Sequence, residues 1–325
     1  MHCQLHKSSA GVATHSTTWS EFVNRTYLPF YRRKWKISTK ETNEARIRAH
    51  LTPLYEARAL ESFRRDERQD LLEAKARAGF SHSLVAHLRW DLRQILRMAV
   101  EEEILSRNPA ELLFVPRGAP RPEYTAMTFW QINTCFRALK QRERLIVKFA
   151  VLAGLRPGEI LGLPWRHLLA THADIRQRVY RGRIDTPKTR CSIRSAALPT
   201  GLLADIEDWR TASGTNGAEH WVFPSSTGKT PLSRDNISRR HISPPLKAVG
   251  LGWVDLHVMR RTHATLMNEI HDDPKLVADQ LGHTLDVNQN VYTRVSIMKR
   301  KLAVDALEAA VPSGASSIGA VRFPH

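Results

Sequence analysis

Apolar residues recur at helical spacing along most of the first third of the chain. The clearest pattern covers residues 81–104, where one broad stripe is formed by Leu84, Val85, Leu88, Leu92, Ile95, Leu96 and Ala99. Ser38 followed by Glu41 predicts a capping box, and Ala45, Leu51 and Leu54 would share one face of the helix that it starts. The segment from residue 19 to about residue 113 is therefore expected to be a bundle of helices.

A second region combines helices with short strands. Thr128 and Gln131 predict another capping box, and an apolar helix is expected at 145–153. Two strand-like runs, 174–184 and 193–198, flank a turn-like segment at 185–190. Further helices are expected at 202–209, 234–249, 258–270, 274–281 and 297–310. The predicted fold class is mainly α with a small β-sheet, the second region being an α+β domain.

Proline marks the boundary between these regions. The segment Pro116-Arg117-Gly118-Ala119-Pro120-Arg121-Pro122 predicts a semi-stiff, extended linker. The expected organisation is a flexible lead at 1–16, a helical domain at 17–115, a linker at 116–123, a second domain at 124–311 and a flexible tail at 312–325. No internal repeat of fixed period is present in the sequence.

The charge balance predicts a polyanionic partner. Among 325 residues, 49 Lys and Arg outnumber 32 Asp and Glu, which gives a formal net charge of +17. The sequence has no apolar run long enough for a transmembrane helix, so a membrane partner is not expected. Three widely separated cysteines favour a reduced, cytoplasmic setting. Neither metal-ligand spacing nor a nucleotide-binding glycine loop occurs, so we expect no metal and no cofactor.

Candidate chemistry is concentrated in the last quarter of the chain. His257 and Arg260 are three residues apart, so a helix would present both on one face. His283, after Leu281-Gly282, and Tyr292, after Val291, follow in apolar settings. Histidine and arginine donate hydrogen bonds to phosphate oxygens, and a tyrosine hydroxyl can act as a nucleophile.

Two basic residues upstream fit the same chemistry. Arg156 stands between Gly154, which can end one helix, and Pro157, which suits the first turn of the next. It would then lie at a helix start, where free backbone N–H groups favour an anion. Lys188 lies in the turn-like segment between the two strand-like runs.

In this order, Arg156, Lys188, His257, Arg260, His283 and Tyr292 resemble the catalytic set of the tyrosine recombinases, the family of phage-type integrases. The phrases that carry the resemblance are GLRPGE, a lysine hairpin, LHVMRRTHAT, LGH and VYTRV. It covers the second domain, and the first is compatible with the family's helical, DNA-clamping core-binding domain.

The resemblance implies a site-specific DNA recombinase that integrates or excises a mobile element through a 3′-phosphotyrosyl intermediate at Tyr292. Arg156 and Arg260 would bind the phosphate, His257 and His283 would assist there, and Lys188 would protonate the 5′ oxygen. Glu159 would orient Arg156 or His257. The implied partners are double-stranded recombination sites, three further copies in a homo-tetramer, and DNA-bending or excision accessory proteins. A cytoplasmic, nucleoid-associated protein follows.

Several alternatives stay open at this stage. A type IB topoisomerase-like enzyme would use related chemistry, although the HxxR and LGH phrases favour a recombinase. A non-catalytic DNA-binding regulator is the other rival, although all six residue types are present. Arg190 competes with Lys188 for the hairpin role, and His263 is interpreted as a packing or hydrogen-bonding residue. Six arginines are either DNA contacts or solvated surface: Arg93, Arg97, Arg117, Arg121, Arg239 and Arg240.

Overall fold

A computed structural model describes residues 16–121, 125–186, 192–214, 217–270 and 273–284. The chain divides into two compact units, Met1–Tyr124 and Thr125–His325. The described elements are mainly helices, with two small two-stranded sheets, which confirms the predicted fold class. Within the described ranges, no helix is both long enough and apolar enough to cross a membrane.

The regular elements in the described part of the first unit are helices. Its helices are α1 (Trp19–Phe22), α2 (Leu28–Lys34), α3 (Ile37–His50), α4 (Thr52–Tyr55), α5 (Arg65–Arg77) and α6 (His82–Glu101). A π-helical turn, Val23–Tyr27, joins α1 to α2. Ser81 caps α6, since its hydroxyl accepts from the Leu84 N–H at 3.3 Å. The predicted stripe of this helix forms the core with Trp19, Tyr27 and Ile47.

The start predicted for α3 was wrong. The helix begins at Ile37 after Lys36, so Ser38 lies inside the first turn, where it cannot serve as the N-cap. Its buried residues are Asn43 and Ile47, and Ala45 is exposed. Arg46 explains this rotation, because its guanidinium forms a two-pronged ion pair with Asp91 of α6 at 2.6 and 2.7 Å. Asp91 is fully buried, so the pair holds this face against α6.

The second unit is built around α8 (Gln141–Leu152), whose Ile146, Phe149 and Ala150 are fully buried. Around it pack α7 (Phe129–Ala138), α10 (Thr200–Ser213) and α13 (Leu256–Ile270), and α9 (Pro157–Leu161) follows it directly. The capping box predicted at Thr128 is present, with Gln131 as the reciprocal partner. The remaining helices are α11 (Arg234–Ile237), α12 (Ser243–Ala248) and α14 (Pro274–Leu281).

The strand predicted at 174–184 is divided among three short strands. β1 (His172–Ile175) pairs antiparallel with β4 (Arg194–Ala197), and β2 (Arg178–Tyr180) pairs with β3 (Arg183–Asp185). Arg181 and Gly182 both have positive φ, 48° and 76°, as a type I′ hairpin requires. This tight turn reverses the chain where the sequence suggested one continuous strand.

The helix predicted at 234–249 is interrupted. A π-helical turn, Ser238–Ile242, separates α11 from α12. Pro244 and Pro245 occupy the first turn of α12, since proline lacks the N–H that an unbroken helix would need. The predicted helices at 258–270 and 274–281 are confirmed as α13 and α14, whereas the one at 297–310 lies outside the described residues.

Candidate active site

Arg156 lies at the N-terminus of α9, as the glycine and proline around it predicted. Gly154 has φ +67° and allows the chain to leave α8, and Pro157 occupies the first turn of α9. The Arg156 N–H donates to Glu159 Oε2 at 2.9 Å, and its Nη1 donates to Glu159 Oε1 at 2.7 Å. The Arg156 side chain is 31% exposed, so it reaches the surface while Glu159 fixes its orientation.

Glu159 is a buried carboxylate surrounded by arginines. Besides Arg156, it accepts from Arg194 Nη2 at 3.1 Å, and Arg260 Nη1 lies 3.9 Å away. Burial alone would raise the pKa of Glu159, but the positive charges of Arg194, Arg156 and Arg260 outweigh it and lower the pKa to about 2. The carboxylate is therefore ionised at any pH at which the protein would work.

The start of α13 presents His257 and Arg260. The Asp255 carboxylate accepts from the His257 and Val258 N–H groups at 2.8 and 2.7 Å, which caps the helix. Arg260 is only 3% exposed. Its Nη1 donates to the Gly154 carbonyl, and its Nη2 donates to the Leu281 carbonyl at 2.6 Å. Arg260 thus connects the loop before α9 with the end of α14.

His283 follows the left-handed end of α14. Gly282 has φ +62° and ends the helix, and the His283 N–H donates to the Ala278 carbonyl at 2.9 Å. Arg260 Nη2 donates to His283 Nε2 at 2.8 Å, so this nitrogen carries no proton. Burial, followed by the charges of Arg260, Arg156 and Arg194, lowers the pKa of His283 to about 3. The imidazole is neutral and helps to orient Arg260.

His257 faces a cleft of about 170 Å³ that Arg156 and Glu159 also line. The hairpin of β2 and β3 forms one wall, and Arg234 of α11 forms another. Partial loss of hydration lowers the pKa of His257, Asp255 opposes this, and Arg234 and other arginines of the site lower it further. A neutral imidazole at the edge of a basic cleft can accept a proton close to neutral pH.

Five of the sequence-predicted residues therefore come together: Arg156, Glu159, His257, Arg260 and His283. Lys188, its rival Arg190 and Tyr292 lie outside the described residues. The region holds no group of His, Cys, Asp and Glu suited to a metal ion among the residues that the structure describes.

Sequence reasoning missed two arginines of the site. Arg194, at the start of β4, has a side chain only 6% exposed, and Arg234 lines the cleft beside His257. An arginine in a strand of small residues, IRSAAL, was a weak signal for Arg194, and Arg234 had none. His263 matches its structural interpretation, since its Nδ1 bonds the Val151 carbonyl at 2.9 Å and its ring packs beside Gly154.

The six arginines considered for DNA contact lie at or near the surface. Arg117, Arg121, Arg239 and Arg240 are exposed. Arg97 is exposed and forms an ion pair with Glu101 at 3.7 Å, whereas Arg93 is half-buried and is paired with Glu111. Four of them, Arg93, Arg97, Arg117 and Arg121, lie in the first unit, and Arg239 and Arg240 lie in the π-helical turn after α11.

Comparison with known proteins gives a consistent result. The model of the phage integrase family matches residues 125–298. The ICEBs1 integrase of Bacillus subtilis is 29% identical over 268 residues, covering 75% of this chain and 69% of that protein. An integrase of Streptomyces ambofaciens is 29% identical over 269 residues, covering 75% and 68%.

Solved structures show the same fold. The Tn1549 transposon integrase in complex with transposon right-end DNA superposes with a TM-score of 0.77 at 15% identity, covering 90% of this chain and all of that one. A lambda integrase tetramer bound to a Holliday junction superposes with a TM-score of 0.66 at 19% identity, covering 87% and 80%.

Proposed function

The chain belongs to the phage integrase family and is a tyrosine-type site-specific recombinase that breaks and rejoins DNA, and we propose that it does so through a 3′-phosphotyrosyl intermediate on Tyr292. The observation that carries this proposal is the group of Arg156, Arg260 and His257 around a buried Glu159. Such an arrangement offers donors and positive charge to an anion at a helix start.

We assign the two arginines to the non-bridging oxygens of the scissile phosphate. Arg156, which reaches the surface, would bind from the solvent side, and the buried Arg260 would bind from the protein interior. Charge on these oxygens increases as the phosphorus becomes five-coordinate, so both contacts strengthen in the transition state. His283 supports this role because its Nε2 accepts from Arg260.

The proton transfers are assigned to His257 and Lys188. A tyrosine hydroxyl has an ordinary pKa of about 10, so Tyr292 needs a base at neutral pH. His257 would take this proton, and the lowered pKa of His257 keeps it neutral and able to accept. The bond from phosphorus to the tyrosine oxygen forms, the bond to the 5′ oxygen breaks, and Lys188 would protonate that leaving oxygen.

The partners follow from this chemistry. Double-stranded recombination sites are the proposed substrate, and a 5′ hydroxyl from a partner strand would reseal the phosphotyrosyl bond without a separate energy source. The lambda integrase tetramer on a Holliday junction supports a homo-tetramer on DNA as the working assembly. The ICEBs1 integrase and the Tn1549 transposon integrase support integration or excision of a mobile element, with accessory bending or excision proteins. Such a substrate implies a nucleoid-associated protein.

The remaining boundaries and contacts are also proposals. We propose a DNA-clamping domain at 17–115, a linker at 116–123 and a catalytic domain at 124–311, between a lead and a tail. Two arginine pairs, Arg93 with Arg97 and Arg117 with Arg121, together with Arg239 and Arg240, are proposed contacts to the DNA backbone. Neutralising any one of these arginines should weaken DNA binding equally for all sequences and reduce the salt dependence of that binding.

Covalent trapping tests the proposal. Nicked suicide duplexes tiled across the DNA flanking the protein's own gene would be incubated with the full chain and separated on a denaturing gel. We expect a protein–DNA band that disappears in Tyr292→Phe, while native gels show unchanged binding. Tyr180→Phe is the matched variant, since Tyr180 is a tyrosine that lines the cleft.

The outcomes are distinguishable. A covalent band that depends on Tyr180 instead of Tyr292 would show that Tyr180 is the nucleophile. Tight, sequence-selective binding without any covalent band, from every duplex and in the presence of Tyr292, would contradict the phosphotyrosyl mechanism and favour a DNA-binding regulator.

A further inference from the structure

Arg194 is a buried arginine that has no role in the chemistry assigned above. It begins β4, six positions after Lys188 in the chain, and its side chain is 6% exposed. Its Nη2 and Nη1 donate to the two oxygens of Glu159 at 3.1 and 3.2 Å. Its Nε donates to the Gln280 carbonyl at 2.7 Å. Burying a guanidinium costs free energy, so an arginine at this position serves the structure or the site and not solubility.

The Glu159 carboxylate links Arg194 to the phosphate-binding arginine. Arg194 holds both carboxylate oxygens from one side, and Arg156 binds the same two oxygens through its N–H and its Nη1. A carboxylate has about four acceptor positions. Two parallel hydrogen bonds from a guanidinium to its two oxygens fix the plane of the carboxylate and the plane of the guanidinium. The direction of the exposed Arg156 fork therefore depends on Arg194.

A second path runs through Gln280 to His283. The Gln280 side chain accepts from the Ala197 N–H at 3.0 Å and donates to the Ala197 carbonyl at 3.1 Å. It also donates to the Ala153 carbonyl at 3.0 Å. Gln280 thus joins both ends of β4 to the end of α14, one residue before Leu281, whose carbonyl accepts from Arg260.

We propose that Arg194 is a positioning residue of the recombination site, which acts on the scissile phosphate through Glu159 and the loop Leu281–His283. It makes the orientation of Arg156 and Arg260 depend on the strand that follows Lys188. The inference rests on the function proposed above, and it assigns Arg194 no contact with DNA.

The test compares Arg194→Lys with the wild-type chain in single-turnover cleavage of a trapped duplex. A displacement of about 1 Å in a reacting group can cost about 100-fold in rate, so we expect a loss of roughly 10- to 100-fold. The dissociation constant for DNA should stay within twofold, because the side chain is buried. Arg176→Lys is the matched control, an arginine beside β1 with a side chain 53% exposed, and it should cleave like the wild type.

Two modified substrates separate the possible routes. A 5′-bridging phosphorothiolate has a leaving group that needs no proton, so it should not restore cleavage by Arg194→Lys. A methylphosphonate lacks one negatively charged oxygen. On this substrate the ratio of the wild-type rate to the Arg194→Lys rate should therefore be at least threefold smaller than on the unmodified duplex. For each variant, the ratio of its rate on a modified substrate to its rate on the unmodified duplex is measured on one preparation. This ratio does not depend on the fraction of protein that is folded. If the phosphorothiolate restored cleavage by Arg194→Lys, the proposal would be overturned, and Arg194 would act by positioning Lys188.

Glu159→Gln provides the second variant. Because Arg194 acts partly through Glu159, this variant should show the same substrate pattern, and adding Arg194→Lys should reduce its rate by less than Arg194→Lys reduces the rate of the wild type. Losses that multiply in the double variant, or a rate loss equal on all three substrates, would overturn the proposal. A wild-type chain that forms no covalent complex at all would instead contradict the proposed function.

Discussion

Replacing Glu159 by Gln should destabilise the second unit, because it removes the carboxylate that the Arg156, Arg194 and Arg260 side chains share. The pKa of Glu159 falls from an ordinary 4.5 to about 2 in the folded chain. At 1.36 kcal/mol per pKa unit, the folded state favours the ionised form by about 3 kcal/mol. Glutamine has the same shape without the charge, so the loss at pH 7 should be about 3 kcal/mol.

The pH dependence gives this prediction its sign. Because the pKa of this carboxyl is lower in the folded than in the unfolded chain, its stabilisation is complete above about pH 4.5 and is lost as pH falls towards 2. The difference between the wild type and Glu159→Gln should therefore shrink from about 3 kcal/mol at pH 7 to about 1 kcal/mol at pH 3.

Scanning calorimetry of the full chain measures this difference. For a unit of about 200 residues, 3 kcal/mol lowers the melting temperature by about 6 to 12 °C. Glu207→Gln is the control, since Glu207 lies on α10 with a side chain 70% exposed, and it should change stability by less than about 0.5 kcal/mol. A deficit that stays the same at pH 3 and pH 7 would refute the electrostatic reasoning, even if its size at pH 7 were correct.

Two further predictions concern the walls of the site. Gly154→Ala should cost about 2 to 4 kcal/mol in thermal unfolding, because a Cβ would lie 2.5 Å from the His263 ring at φ +67°. Gly250→Ala, at φ +78° with open space around it, should cost only about 1 kcal/mol, and equal losses would contradict the packing argument. Cleavage by the wild type should fall on the acidic side with a midpoint below pH 6.5, because the pKa of His257 lies below its ordinary 6.5. Arg234→Gln removes a nearby positive charge and should move this acidic limb to higher pH in single-turnover assays; a limb that moves to lower pH would exclude His257 as the base.

Local signals in the sequence predicted the elements that carry the site. Glycine and proline around Arg156 indicated a helix start, and the spacing of His257 and Arg260 indicated a shared helix face, because both depend on residues within one or two turns. The apolar stripe of α6 was equally local. These features follow from backbone geometry that a few neighbouring residues decide.

The parts that could not be predicted depend on distant partners. Arg46 turns α3 through Asp91, 45 positions away, and Arg194 meets Glu159 across 35 positions. The hairpin of β2 and β3 turns at Arg181-Gly182, where arginine replaces the asparagine or aspartate that usually announces a type I′ turn. The periodicity of apolar residues predicts which face of a helix is buried, but it does not predict which charged residues form ion pairs.

The charge of the described site also fits the reaction better than it fits the resting DNA. Three guanidinium groups, on Arg156, Arg194 and Arg260, surround one carboxylate, and burial keeps His283 neutral. This leaves a surplus of two positive charges around Glu159. A phosphodiester carries one negative charge, and its five-coordinate transition state carries about two, so this positive surplus stabilises the transition state more than the resting phosphodiester. Glu159 sets that balance: without it a third uncompensated charge would be buried, and the gain in attraction for phosphate would be offset by the loss of the fixed forks that direct it.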